Sequence, residues 1–233
     1  MVSQPIRLNK FLAERLGCSR READELIQSG QVLINQKQAS IGVKIDKNDK
    51  VWYNKKIVPF DAEYSYLAFN KPVGYVCSRH QQGDTPTVYS LLPHRYQALK
   101  TVGRLDKDSS GLILFTNDGD FAFKMTHPKF RKTKVYEVEL DHSLEPLHQQ
   151  MISDYGVMLD DGVSKFKVIA AAGPAEHKPD RTRLTVILTE GRNRQIRRTF
   201  AALGYRVTRL HRTNFGKYEL GDLAPGRYVI IEP

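Results

Sequence analysis

From Tyr64 to Glu232 the chain is a succession of short apolar or alternating runs, many too closely spaced for crossovers between them. YSYLAFN (64–70), GYVCS (74–78), LKTVGRL (99–105), GLILFT (111–116), KVYEVEL (134–140), SKFKVIA (164–170), RLTVILT (183–189), YRVTRL (205–210) and RYVIIE (227–232) all read as strands. A parallel pair needs a connection of about a dozen residues or more, so most of these strands must pair antiparallel. TVYSLL (87–92), DFAFKMT (120–126), SLEPLHQQMIS (143–153) and NRQIRRTFAAL (193–203) supply the helices. The fold class that follows is α+β, with a mixed, largely antiparallel sheet flanked by helices. KPVG and NDG mark turns, and AAGPAEHKPDRTR (171–183) reads as an exposed loop. There is no internal repeat or low-complexity tract.

The first sixty residues follow a different pattern. Leu8, Phe11, Leu12 and Leu16 share one face of a helix expected over residues 6–16, which Gly17 ends. Ser19 and Glu22 have the spacing of a capping box for a second helix, whose buried side is Ala23, Leu26 and Ile27. QVLIN (31–35) and VWYN (51–54) read as strands, with a turn in NQKQ. Pro59 to Glu63 is the candidate linker. This gives a small N-terminal α/β domain over residues 1–60 and a larger domain over 61–233.

The chain is long enough for a substantial core, and its 40% hydrophobic and 27% charged content is that of an ordinary globular protein. No leader-like apolar segment and no membrane-length apolar run occurs, so a cytoplasmic protein without a membrane partner is expected. Cys18 and Cys77 read as free thiols, and the seven histidines lack metal-ligand spacing. No metal and no cofactor are expected. The excess of 36 Lys and Arg over 26 Asp and Glu points instead to a polyanionic partner. The excess is clustered. Arg7, Lys10, Arg20 and Arg21 lie at the starts of the two N-terminal helices, where unpaired N–H groups already favour phosphate. Residues 190–217 carry Arg192, Arg194, Arg197, Arg198, Arg206, Arg209, Arg212 and Lys217 against Glu190 alone. On a helix starting at Asn193, Ile196, Phe200 and Leu203 share a face. Arg194 and Arg198 then point away from it, and Arg197 lies on the flank, about 100° from Ile196.

Against this background GRLDKDSSG (103–111) stands out: two aspartates beside an arginine in a glycine-bounded segment. A carboxylate can serve as nucleophile or base near neutral pH, and nearby cations keep it ionised. Spacing alone does not choose between Asp106 and Asp108.

GRLDKDSSGL (103–112), KVYEV (134–138) and EGRNRQIRR (190–198) resemble the three signature motifs of the RsuA-type pseudouridine synthases, and FNKPVG (69–74) and FTNDG (115–119) fit the same pattern. Residues 7–36 resemble the S4-like RNA-binding domain that often precedes that catalytic domain. The resemblance covers nearly the whole chain. It implies isomerisation of a uridine in ribosomal RNA, without cofactor or metal. The glycosidic bond is cut, the uracil turns, and the ring is rejoined through carbon 5. It makes Asp106 the essential acid, as nucleophile or base, and Arg197 its partner. Tyr136 becomes the residue that contacts the base and handles the carbon-5 proton, and Arg104 helps hold the nucleotide out of the stack. Arg194, Arg198, Arg7, Lys10, Arg20 and Arg21 are expected to bind RNA. Asn70, Lys71 and Pro72 read chiefly as structural, with Lys71 a secondary RNA candidate. Ser109, Ser110 and Gly111 shape the turn, and Ile196 packs at the edge of the site. Thr199 stands where the resemblance leads one to expect an apolar residue. The expected protein is a monomer, with the large-subunit RNA favoured as target. The competing reading is a non-catalytic RNA-binding or ribosome assembly factor that keeps the fold. An RNA methyltransferase is disfavoured by the lack of a glycine-rich cofactor loop.

Overall fold

Leu8, Phe11 and Leu12 bury together on α1 (Leu8–Arg15) in the computed structural model of the chain, which describes residues 5–61, 63–79, 83–171 and 180–233. The helix starts later than its periodicity predicts. Ile6 and Arg7 form a short strand, β1 (Ile6–Arg7), paired antiparallel with β4 (Lys44–Ile45). The pairing is secured by the Leu8 N–H, which donates to the Val43 carbonyl at 2.9 Å. α2 (Arg20–Gln28) has the expected capping box: the Glu22 N–H donates to Ser19 Oγ at 3.1 Å, and the Ser19 N–H to Glu22 Oε2 at 2.5 Å. Such a cap is worth about 1 kcal/mol.

The helices share a core with a four-stranded sheet of order β3-β2-β5-β6, built from β2 (Val32–Ile34), β3 (Lys37–Gln38), β5 (Val51–Tyr53) and β6 (Lys56–Val58). Both of its hairpins turn through two residues of positive φ, Asn35–Gln36 and Asn54–Lys55, the backbone signature of a type I′ turn. NQKQ is therefore half turn and half strand. The candidate linker is anchored at its start. Phe60 packs on Phe11 with ring centroids 4.6 Å apart, and Arg15 donates to the carbonyls of Pro59 and Phe60.

These elements belong to one of two compact units, Met1–Ser65 with His94–Lys100 and Thr116–Gly119. The other comprises Tyr66–Pro93, Thr101–Phe115 and Asp120–Pro233. Its nine-stranded sheet uses β7 (Tyr66–Lys71), β8 (Lys100–Val102), β9 (Ser110–Thr116), β10 (Lys134–Leu140), β13 (Lys167–Ala171), β14 (Asp180–Leu188), β15 (Val207–Phe215), β16 (Tyr218–Glu219) and β17 (Tyr228–Ile230). The main path runs β13-β14-β10-β15-β9-β7-β17, with β8 on β9 and β16 on β15. β10 pairs antiparallel with both neighbours, whereas β9 and β15 run parallel through Ser110↔His211 and Gly111↔Arg212. The helices are α3 (Gly119–Thr126), α4 (Pro146–Gln150), which continues into a π-helical turn at Met151–Tyr155, and α5 (Gln195–Ala202).

Several expectations need correction. Among the described residues GYVCS makes a single bridge, Val76 to Thr87. SKFKVIA is broken, because Ser164 ends a separate hairpin, β11 (Val157–Leu159) with β12 (Gly162–Ser164). TVYSLL forms a 3₁₀ turn over Val88–Leu91. Of the expected loop, residues 172–179 lie outside the described residues, and Asp180–Arg183 already belong to β14, where the cross-strand pair Glu139↔Arg183 carries the ladder through this polar stretch.

The β9–β15 contact depends on one residue type. Gly111 has φ +104°, and a Cβ there would lie 2.2 Å from the Arg212 carbonyl oxygen. We expect Gly111→Ala to combine backbone strain with overpacking and to cost at least about 2 kcal/mol, measured by urea unfolding. An unchanged midpoint would mean that the two strands can separate without penalty.

Candidate active site

The loop between β8 and β9 is held from several sides. Lys71, at the end of β7, is fully buried and donates from Nζ to the carbonyls of Ser109 (2.6 Å) and Pro72 (3.0 Å). The Gly74 N–H donates to the Lys107 carbonyl at 2.8 Å, and the Leu105 N–H to Cys77 Sγ at 3.4 Å. Arg197, on α5, donates from Nη2 to the Asp108 carbonyl (2.9 Å) and from Nη1 to the Val207 carbonyl (2.8 Å). Burial and the two backbone hydrogen bonds of its amine remove Lys71 from the expected RNA contacts; it is a positioning residue. Burial lowers the Lys71 pKa to about 8, opposed by the charges of Cys77, Asp106 and Asp108.

This clamp separates the two aspartates. Asp108 receives two of the four arginines of the third motif, Arg194 and Arg197. Arg194 donates in bidentate fashion at 3.0 and 3.1 Å, and Arg197 Nε lies 3.3 Å from Asp108 Oδ2. Arg197 thus pairs with Asp108 rather than with Asp106, contrary to expectation. Among the described residues Arg194 is the cation that pairs with Asp106, with Nη1 3.7 Å from Oδ2. Burial by itself raises the Asp108 pKa, but the Arg194 hydrogen bonds and the charges of Arg197 and Arg194 outweigh it and hold the carboxyl below its ordinary value. Asp106 lines a pocket of about 270 Å³ together with Arg104, Ser109, Tyr136, Ile196 and Arg212.

Arg194 reaches the aspartates because α5 starts at Gln195. Arg194 is the cap residue, at φ 45° and ψ 31°, and not a member of the helical face that a start at Asn193 predicts. A left-handed backbone is uncommon outside glycine, and here it coincides with the ion pair. Arg198 does lie on α5, but its guanidinium is taken by Asp160 (2.5 Å) and Asp161 (2.7 Å) at the tip of the β11–β12 hairpin. The expected RNA contact of Arg198 is therefore replaced by an internal ion pair. Thr199 is also buried, with Oγ1 donating to the Gln195 carbonyl at 2.8 Å and lying 2.7 Å from Ser164 Oγ. A polar residue is tolerated there because both neighbours bond it.

Tyr136, Val138 and Leu140 face one side of β10, as the alternation predicts. A register shift between Val135 and Tyr136 places Tyr136 opposite Arg212 of β15. Arg212 is 2% exposed. It donates from Nε to the Leu112 carbonyl at 2.7 Å and from Nη1 to Tyr136 Oη at 3.5 Å, while its buried Nη2 has no partner. Lys134, two residues before Tyr136, also lines the pocket; its Nζ lies 5.3 Å from the Phe215 ring centroid and donates to the Glu190 carbonyl at 3.2 Å. Burial and the charge of Arg212 lower the Lys134 pKa to about 8, opposed by Glu190. Sequence reasoning counted Arg212 only as part of a basic cluster and passed over Lys134. The signal for Lys134 was its position inside KVYEV, on the same strand face as Tyr136.

Arg104 is exposed at the pocket wall. In the first unit, Arg7, Arg20 and Arg21 are exposed, with Arg20 donating to Asn9 Oδ1 at 3.2 Å, and Lys10 lies 4.0 Å from Glu14. Among the described residues no helix is long and apolar enough to cross a membrane.

Residues 65–202 match the family described as RNA pseudouridylate synthase, and residues 6–58 match the S4 domain. The ribosomal small subunit pseudouridine synthase A of Pasteurella multocida (strain Pm70) is 36% identical over 96% of this chain and 94% of its own length. The ribosomal large subunit pseudouridine synthase B of Pseudomonas aeruginosa is 35% identical over 95% of this chain but 58% of its own length. A crystal structure of a pseudouridylate synthase superimposes with a TM-score of 0.68 at 31% identity, covering 97% of this chain and 96% of that one.

Two lysines should stand apart in a titration followed by ¹³Cε NMR. Lys71 and Lys134 should show midpoints near 8, below the ordinary 10.5. Glu190→Gln, which removes a charge that supports the ammonium, should lower Lys134 further and leave Lys71 in place. If every lysine titrates above pH 10, neither amine is buried as described.

Proposed function

The chain belongs to the RNA pseudouridylate synthase family, as an RsuA-type member with an S4 domain, and on that premise we propose that it isomerises one uridine of a ribosomal RNA to pseudouridine. The observation that carries the reading is the division of labour between the aspartates. Asp108 absorbs Arg194 and Arg197, which leaves Asp106 on the pocket wall beside a cation, with one long contact of 3.7 Å. An ionised carboxylate in that position can attack the ribose carbon or remove a ribose proton.

Either route sends the electron pair of the glycosidic bond onto the uracil, whose negative charge spreads over its two carbonyl oxygens. The unpartnered Nη2 of Arg212 and the Lys134 ammonium supply the matching positive charge inside the pocket. The ring turns against Tyr136, and carbon 5 bonds to the ribose carbon as the carboxylate leaves that carbon or, on the other route, gives the ribose its proton back; the carbon-5 proton then leaves and nitrogen 1 takes one up. Atoms balance without a co-reactant, and no cofactor or metal is invoked. Arg104, exposed on the pocket wall, holds the extruded nucleotide. Arg197 acts through Asp108 by fixing the loop. Residues 1–60 grip the RNA through Arg7, Lys10, Arg20 and Arg21, and residues 61–233 carry out the chemistry. The protein acts as a monomer in the cytoplasm.

The sequence reading leans to the large-subunit RNA, whereas the full-length match to small-subunit synthases favours the other. Pseudouridine should therefore be mapped across both ribosomal RNAs, in cells with and without the gene. One position should lose its pseudouridine, and the wild-type gene but not Asp106→Asn should restore it. Loss restored equally by Asp106→Asn would favour the non-catalytic assembly factor.

Lys134 gives a second test. Its charge is present below about pH 8 and is lost as pH rises through that value. Single-turnover rates should fall on the alkaline side of 8, Lys134→Arg should remove that limb, and Lys134→Met should be slow at every pH, by about 10- to 1000-fold. An alkaline limb unchanged in Lys134→Arg would exclude this role.

A further inference from the structure

The segment FKMTHPKFRKTK (123–134) carries Lys124, Lys129, Arg131, Lys132 and Lys134 and no acidic residue. Among the described residues, none of these five forms an ion pair, in contrast to the arginines of the third motif, which Asp108, Asp160 and Asp161 neutralise. Two of its aromatic rings are turned outward: Phe123 is 45% exposed and Phe130 38% exposed, while Met125 of the same helix is buried. The rings form a cluster with His127, with Phe123 and Phe130 5.8 Å apart at 89° and Phe123 and His127 4.6 Å apart. Lys129 Nζ lies 5.1 and 4.8 Å from the two phenylalanine centroids. Thr126 and Pro128, between the rings in sequence, line the pocket that contains Asp106.

Exposed aromatics grouped outside a core are a cost that a binding partner removes. Interleaved cations free of internal counter-ions select a partner with phosphates, and aromatic faces select one with bases. We propose that Phe123–Lys132 is a stacking platform for the single-stranded RNA that flanks the target uridine. The inference rests on the reading of the chain as an RNA-modifying enzyme and deepens it. Phe123 and Phe130 receive bases, and Lys124, Lys129 and Arg131 meet the backbone beside the pocket mouth. The ring contacts are already formed in the free chain, so less ordering is required on binding.

Binding of the purified full-length protein to a fluorescent ten-nucleotide oligouridylate tests this by anisotropy. Wild type and Asp106→Asn should bind alike. Phe123→Ala combined with Phe130→Ala should weaken binding on the order of tenfold or more, with the salt dependence unchanged. The same pair should have less than a twofold effect on an abasic oligomer of equal length. Lys129→Gln with Arg131→Gln should instead reduce the slope of log K against log salt by about 1.4, since each single-strand phosphate contact contributes about 0.7. Both aromatics are exposed, so circular dichroism should show the variants folded. No wild-type binding to the oligouridylate, aromatic variants that bind it as wild type does, or equal losses on the abasic oligomer would each overturn the platform. The pseudouridine map is independent of this result, so failure of the platform leaves the isomerase reading standing, and the reverse also holds.

Discussion

Asp108 and its two arginines are the contact on which the site depends. A carboxylate paired closely with two guanidinium groups is a poor reagent, because its lone pairs are committed. A carboxylate with no cation nearby, in a partly closed pocket, tends to take up a proton. The chain meets both demands with two aspartates two residues apart. Asp108 holds Arg194 and Arg197 in place, and Asp106 stands beside Arg194 at the longer distance of 3.7 Å. In the proposed reaction, Asp108 thus keeps the two arginines from closing on Asp106.

The rest of the sheet supports that arrangement. Gly111, Arg212 and Tyr136 form a row across β9, β15 and β10, and the close approach at Gly111 brings Arg212 under the pocket. Lys71 holds the Ser109 carbonyl from below. Two buried cations, Lys71 and Arg212, and the half-buried Lys134 therefore lie about a site that the acidic residues only partly neutralise. Burying them is costly, and backbone carbonyls offset the cost through hydrogen bonds from all three. Nη2 of Arg212, buried at a residue that lines the pocket, is the nitrogen that this bonding leaves without a partner among the described residues.

Much of the fold was legible because its causes are local. The Ser19–Glu22 capping box and the apolar face of α1 depend on neighbours three or four residues away, and the alternation in KVYEVEL fixed the side on which Tyr136 lies. The misreadings came from non-local contacts. Asp180–Arg183 look like loop residues until Glu139 pairs with Arg183 across the sheet. Arg194 could not be assigned from a helical wheel, since its role requires a left-handed backbone and a partner 86 residues away in sequence. A charge count placed Arg198 and Arg212 in one cluster; whether such a side chain is paired with Asp160 or buried against Tyr136 is decided by tertiary packing. Resemblance to a known family singled out Asp106 where spacing did not, and the positions of the two carboxylates offer a physical reason for that choice.

The most direct measurement is release of tritium from ribosomal RNA labelled at carbon 5 of uridine, after incubation of the label-bearing RNA with the purified protein. Joining carbon 5 to the ribose must expel the hydrogen it carries. The account predicts release that reaches about one equivalent per RNA with wild type and none with Asp106→Asn, although both bind the RNA. No release from either ribosomal RNA, as precursor or within a subunit, or equal release by both proteins, would contradict it.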